Sequence, residues 1–153
     1  MALYLVQHGK NLPKEEDPGK GLSSLGTKEV ERIAQEAREH GVRVSSIRHS
    51  GKKRARQTAE ILAAALKPSE GVAEMGGLAP LDNVASFAQS LDAGKDVMLV
   101  GHLPFMEKLA SYLVTGSADR PVIQFQNGGI VCLDKRPEGD SWVIKWTLMP
   151  HIG

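Results

Sequence analysis

Apolar and polar positions along this chain follow two periods, and the changes of period mark its elements. Leu3-Tyr4-Leu5-Val6 is a continuous apolar run that stops at Gln7-His8-Gly9, the pattern of a buried strand. Residues 10–21 are polar, hold Pro13, Pro18, Gly19 and Gly21 with the acidic run Glu15-Glu16-Asp17, and read as a loop. Beyond Leu22-Ser23, the apolar positions Val30, Ile33, Ala34 and Ala37 recur at helical spacing; Ser24 or Thr27 can cap this helix, and His40-Gly41 closes it. Residues 42–47 alternate weakly and predict a second strand, with Arg48-His49-Ser50-Gly51 as the loop after it. Helical period returns over residues 51–66 through Ala55, Ala59, Ile61, Leu62 and Ala65, until Pro68 ends it.

Residues 69–82 are rich in glycine and proline around the apolar insert Leu78-Ala79-Pro80-Leu81, and read as a long connection with room for one short strand. A short helix over 84–91 and a turn at Asp92-Ala93-Gly94-Lys95 lead into a second apolar run, Val97-Met98-Leu99-Val100, which stops at Gly101-His102. A helix follows from about residue 105 to 114, with Met106, Leu109, Ala110 and Leu113 on one face. Residues 121–125 and 129–134 look like strands separated by Asn127-Gly128-Gly129, and 141–149 like the last strand, where Trp142 and Trp146 share a face. This alternation predicts an α/β fold: a three-layer α/β/α sandwich with a mostly parallel central sheet and an antiparallel edge near the carboxyl end.

At 153 residues the chain fits one domain, 1–153. Nineteen Lys and Arg against 18 Asp and Glu leave a net charge of +1, so no global field recruits nucleic acid or an anionic membrane, and any anion site must be a local cluster. Cys132 is the only cysteine, which excludes an internal disulfide and multi-cysteine metal sites and makes a cytoplasmic location the expectation. The chain starts on a strand-like run and no apolar window is long enough to span a bilayer, so neither export nor membrane attachment is expected.

In an open α/β sheet, ligands bind at the carboxyl ends of the strands, and two strands here each deliver an imidazole there, His8 and His102. A third element is basic: Lys52, Lys53, Arg54 and Arg56 crowd the start of a helix, where the macrodipole disfavours cations unless an anion is nearby. A zinc site from His8, His49 and His102 is not expected, since no tight ligand spacing or partner carboxylate accompanies them. His49 reads as a loop residue, His40 as a helix end, and His151 as part of a mobile terminal segment.

Together these segments resemble the histidine phosphatase superfamily, with its phosphoglycerate-mutase-like fold, and within it the small SixA-type phosphohistidine phosphatases. Residues 3–9 match the strand and nucleophile motif, 17–26 the D-x-x-R-P-L-x-x-x-G segment, and 50–59 the S-P-x-x-R-A-x-Q-T-A motif. Leu78-Ala79-Pro80 matches an L-x-P element and residues 100–104 the second-histidine motif. The resemblance implies one domain without a large cap insertion, an open cleft, no metal or other cofactor, and in-line transfer of a phosphoryl group to His8 and then to water. Arg54 and His102 would hold the phosphoryl oxygens, within a phosphate-binding set of Gln7, His8, Gly9, Lys20, Arg54, His102 and Leu103. A backbone carbonyl near Gly9 would fix the His8 tautomer. Asp17 is the first candidate for proton donor, with Glu74 and Asp82 as alternatives.

The implied partner is a phosphohistidine-containing protein such as a histidine phosphotransfer domain, met by a monomer or weak homodimer. Two positions depart from the family pattern: Gln7 stands where the first motif carries arginine, and Gly51 where the second carries proline. Lys20 occupies the arginine position of D-x-x-R and could supply the missing charge. Hydrolysis of small phosphate esters, or a catalytically weak phosphate- or phosphoprotein-binding module on account of Gln7, are the competing readings.

Overall fold

A computed structural model describes residues 2–91 and 94–152; Asp92 and Ala93 of the expected turn lie outside them. Its strands are β1 (Ala2–Gln7), β2 (Ser46–His49), β3 (Val72–Glu74), β4 (Val97–Gly101), β5 (Ile130–Lys135) and β6 (Trp142–Leu148). Its helices are α1 (Ser24–Glu39), α2 (Lys53–Leu66), α3 (Val84–Gln89) and α4 (Phe105–Thr115). The six strands form one sheet in the order β3-β2-β4-β1-β5-β6. The first four run parallel, and β5 and β6 add an antiparallel edge.

The pleat of the central strands explains the three layers. In β1, Tyr4 and Val6 join the core that α1 and α2 cover through Val30, Ile33, Ala34, Ala37, Ala55, Ala59 and Leu62. Leu3 and Leu5 join the core on the other face, under Val84 and Phe87 of α3 and Phe105, Met106, Leu109, Ala110 and Leu113 of α4. A strand buried on both faces needs apolar residues at every position, and that is why these runs do not alternate. No helix among the described residues is long and apolar enough to cross a membrane.

Several expected elements shift, each for a physical reason. Ser23 rather than Ser24 or Thr27 caps α1, its hydroxyl accepting from the Gly26 N–H at 3.0 Å. The second strand is Ser46–His49, not residues 42–47. Its parallel register starts with Ser46 beside Val97, the first residue of β4; ahead of it the Ser45 N–H still donates to the Asp96 carbonyl at 2.7 Å, but residues 42–44 pair with no strand, although Val44 is buried. His49 thereby ends a strand instead of sitting in a loop. Residues 121–125 form no strand: β1 already pairs with β4 and β5, and the apolar signal comes from Phe125 filling the α4-side core. Trp142 and Trp146 do not share a face. A bulge opposite Cys132 and Leu133 inserts a residue between them, so Trp142 enters the α4-side core while Trp146 packs on Tyr4 at 5.9 Å on the other side.

Candidate active site

Neighbouring strands bring the two histidines level. Gln7, the last residue of β1, pairs with Gly101, the last of β4, and the His8 N–H donates to the Gly101 carbonyl at 2.9 Å. The chain then delivers His8 and His102 side by side, with ring centroids 5.0 Å apart and planes inclined at 52°. On the other side of β4, β2 ends at His49 and hands over Ser50, whose hydroxyl lies 2.6 Å from His102 Nε2. Gly101 needs to be glycine, because a Cβ there would stand 2.7 Å from Met106 Cε in the first turn of α4. Leu103, between His102 and a cis-linked Pro104, is half-buried against the α4-side core.

Both imidazoles are buried, His8 at 8% exposure and His102 at 2%. Burial lowers the His8 pKa, and the positive charges of Arg54 and Lys20 lower it further, against the opposing pull of its bond to Gly9. His8 Nδ1 lies 2.7 Å from the Gly9 carbonyl, which can only accept, so Nδ1 carries the proton and Nε2 keeps a free lone pair. His102 is pushed down to about 3 by burial first, then by His8, Arg54 and Lys52, and is neutral near pH 7. The Lys52 backbone N–H donates to Ser50 Oγ at 3.4 Å; when the hydroxyl gives its own proton to His102 Nε2, the ring proton stands on Nδ1. That Nδ1 is buried and has no hydrogen-bond partner. An unmet buried donor costs about 1–3 kcal/mol, which an incoming anionic oxygen would recover.

Arg54 sits in the first turn of α2, half-buried; its carbonyl accepts from Thr58 Oγ1 at 2.8 Å, while its guanidinium makes no hydrogen bond or ion pair with the described residues. Burial lowers its pKa, and its charge is felt at both histidines. A desolvated guanidinium at a helix start, next to two neutral imidazoles and with no carboxylate beside it, is an anion site in its charge and its donors. Among the described residues, no three His, Cys, Asp or Glu side chains gather as metal ligands.

Residues 3–82, more than half of the chain, match the histidine phosphatase superfamily (branch 1). The chain belongs to that superfamily. A protein of Picosynechococcus sp. of uncharacterized function is 33% identical over 142 residues, covering 87% of this chain and 84% of its own. The fold is that of the protein histidine phosphatase SixA solved with tungstate, at a TM-score of 0.83 and 22% identity, with 98% of this chain and 97% of that one covered. SixA from Agrobacterium tumefaciens superposes at 0.75 with 26% identity over 97% of each chain.

In this histidine phosphatase the basic start of α2 divides its labour. Lys53 pairs with Asp17 at 2.9 Å and Gln57 Oε1 accepts from the Leu22 N–H at 2.7 Å, so both dock the loop that follows His8. Arg54 is left for the cleft, while Thr58 reaches back to the Gly9 N–H at 2.9 Å. Lys20, exposed and in a left-handed backbone conformation (φ 52°), is near enough for its charge to act on His8. Gln7 buries its side-chain oxygen without a partner, an acceptor where the family pattern has a donor.

Two expected roles do not fit this geometry. Asp17 accepts from the N–H groups of Gly19 (3.0 Å) and Gly21 (2.8 Å) as well as from Lys53. These contacts, the lysine bond foremost, hold its pKa near 2, and a carboxylate so held has no proton to deliver near neutral pH. Gly9 offers no amide to an anion because its N–H is already given to Thr58; its glycine character matters instead where Val30 Cγ2 lies 2.7 Å from a would-be Cβ. Of the two alternative donors, Glu74 packs its carboxylate over Gly51, 2.5 Å from where a Cβ would be, and Asp82 accepts from the Ala79 N–H at 2.9 Å. Gly51 has φ 92°, which proline cannot adopt, so the missing proline goes with a differently shaped loop. That loop is held by the Gly51 N–H donating to buried His49 Nδ1 at 3.0 Å. His151 is not in a loose tail: its ring pairs with buried Glu29.

Ser50, Thr58 and Asn127 touch His102, Gly9 and His8 and are the candidate site residues that sequence reasoning missed. Ser50 and Thr58 lie inside the matched basic motif and were legible there as hydroxyls flanking Arg54. Asn127 carried only the signal of a turn.

Proposed function

We propose that this histidine phosphatase removes the phosphoryl group from phosphohistidine in a partner protein such as a histidine phosphotransfer domain, through a phosphohistidine formed on His8. The observation that carries the reading is the meeting of three groups. A neutral imidazole with its proton parked on Gly9 faces a second neutral imidazole with a buried, unpartnered Nδ1, beside a guanidinium without a carboxylate.

The lone pair on His8 Nε2 attacks phosphorus in line with the bond to the leaving imidazole, which breaks and takes a proton as it departs. Arg54 and His102 Nδ1–H stabilise the equatorial oxygens, and most of the rate comes from that charge and from positioning. Water then attacks the phosphohistidine, loses a proton, and returns His8 and inorganic phosphate. Lys20 supplies the second positive charge that Gln7 lacks.

Phosphohistidine suits this site better than an alcohol ester. Among the described residues no carboxylate is hydrogen-bonded to His8 or His102, and Asp17 is held ionised, so a leaving alkoxide would find no acid. A leaving imidazole takes up its proton near neutral pH without help. With the chain read as one domain without a cap insertion, the cleft stays open to a folded partner, and the structural likeness to SixA supports that partner class.

The test offers purified protein a phosphohistidine-bearing phosphotransfer domain alongside sugar and nucleotide monophosphates. Release from the phosphoprotein with little turnover of the esters supports the proposal. Efficient turnover of the esters alone replaces it with a small-molecule phosphatase, and binding without release with a phosphoprotein-binding module.

A further inference from the structure

The peptide group that joins His8 to Gly9 is gripped at both edges. Its N–H donates to Thr58 Oγ1 at 2.9 Å. Its carbonyl accepts from Asn127 Nδ2 at 3.0 Å and from the Gly128 N–H at 3.2 Å, an N–H that also reaches the Gln7 carbonyl at 2.8 Å. The orientation of this peptide decides where Gly9 starts, and so where the Gly9 carbonyl that takes the His8 Nδ1 proton lies.

Thr58 arrives on α2, but Asn127 comes from a turn just ahead of β5, and that turn is tied to the end of the chain. The Gln126 side-chain amide and the His151 backbone exchange two hydrogen bonds, at 2.9 and 2.8 Å. The His151 ring pairs with Glu29 on α1, and Arg32, one turn further along the same helix, donates to the Pro150 carbonyl. Glu29 is buried and also faces Lys10 Nζ at 3.7 Å, just past the nucleophile. Between them Val30 abuts both Gly9 and Gly128, its Cγ2 lying 2.7 and 3.2 Å from the Cβ either would carry. Nucleophile loop, turn, tail and helix thus form one packed unit with little room for independent movement.

We infer that Asn127 is a positioning residue for His8, and that residues 150–151 act as a strap that keeps Asn127 in place. The inference rests on the reading of His8 as phosphoryl acceptor. Without the Asn127 donor the peptide keeps only the longer Gly128 bond on its carbonyl and Thr58 on its N–H, so it tilts, the Gly9 carbonyl no longer stays fixed on Nδ1, and the imidazole loses part of the tautomer preference and aim that present Nε2 to phosphorus. A misplaced nucleophile costs rate, while phosphate affinity, which belongs to Arg54 and His102, stays.

Asn127→Asp keeps the shape and loses the donor, and Gln126→Ala uncouples the strap. Nitrogen-15 NMR of the full chain reads the His8 tautomer without turnover: the proton is expected on Nδ1 in the wild type and on a mixture of nitrogens in both variants. Rapid-quench phosphorylation by a phosphohistidine protein should show a rate constant lower by about ten- to a hundredfold for Asn127→Asp, with the half-saturating concentration within about twofold of wild type. Gln126→Ala should fall less. An unchanged tautomer and rate constant in folded variants, even with a lower Tm, would overturn the inference. A wild type that takes up no phosphate would instead sink the phosphatase reading, and the NMR comparison would still decide the positioning role.

Discussion

The burial of His102 should make the fold acid-sensitive by an amount that can be worked out beforehand. In the folded protein its pKa is pushed down to about 3, by burial and by the charges of His8, Arg54 and Lys52; in the unfolded chain it is about 6.5. The unfolded state therefore binds the proton more readily, so stability is complete above about pH 6.5 and falls as pH drops toward 3. Between pH 7.5 and 5 the loss from this one group is about 2 kcal/mol. The figure depends little on the folded value, since both conditions lie above it. Urea unfolding in phosphate-free buffer at the two pH values, on wild type and His102→Asn, isolates the term, because His8 and His49, lowered in the same direction, remain in both proteins. The wild type should lose about 2 kcal/mol more than the variant over that interval. Parallel losses would refute the reasoning and mean that His102 accepts a proton in the folded state.

Other consequences are measurable in the same system. Arg54→Ala should weaken inhibition by inorganic phosphate at least about tenfold and slow phosphoryl transfer by about two orders of magnitude, the scale seen when a donor to a developing anion is removed; an unchanged inhibition constant would place the anion elsewhere. Gln7→Arg should tighten phosphate inhibition by about five- to tenfold, the gain from putting a charge-assisted donor where the chain now presents an amide oxygen. Asp17→Asn should lower Tm through the loss of the Lys53 pair and leave the shape of the kcat–pH profile unchanged; loss of its alkaline limb would restore Asp17 as a proton donor.

Where an element is specified by local pattern, the chain could be read directly. The buried strands ending at His8 and His102, the helix carrying Arg54, and the layer order all follow from runs and periods that a parallel, two-sided sheet imposes on sequence. Features set by distant contacts could not. Whether residues 42–47 or Ser46–His49 pair is decided by the start of β4, and the faces of the two tryptophans by one inserted residue. Asp17 reads as a free carboxylate because nothing local announces that Lys53, 36 positions on, will occupy it. The strap from His151 to Glu29 spans 122 positions and left no trace beyond two polar residues. The candidate site was legible as a set of residue types; their pairing, which separates Arg54 from Lys53, required the fold.

The central claim, that His8 accepts the phosphoryl group, is tested most directly by trapping. Protein mixed with a labelled phosphohistidine phosphotransfer domain is quenched within milliseconds in alkali and mapped by peptide. The account predicts an alkali-stable, acid-labile phosphate on His8 that decays as inorganic phosphate appears and is missing in His8→Ala. Phosphate release at full rate by His8→Ala, or with no phosphate ever found on His8, would contradict it.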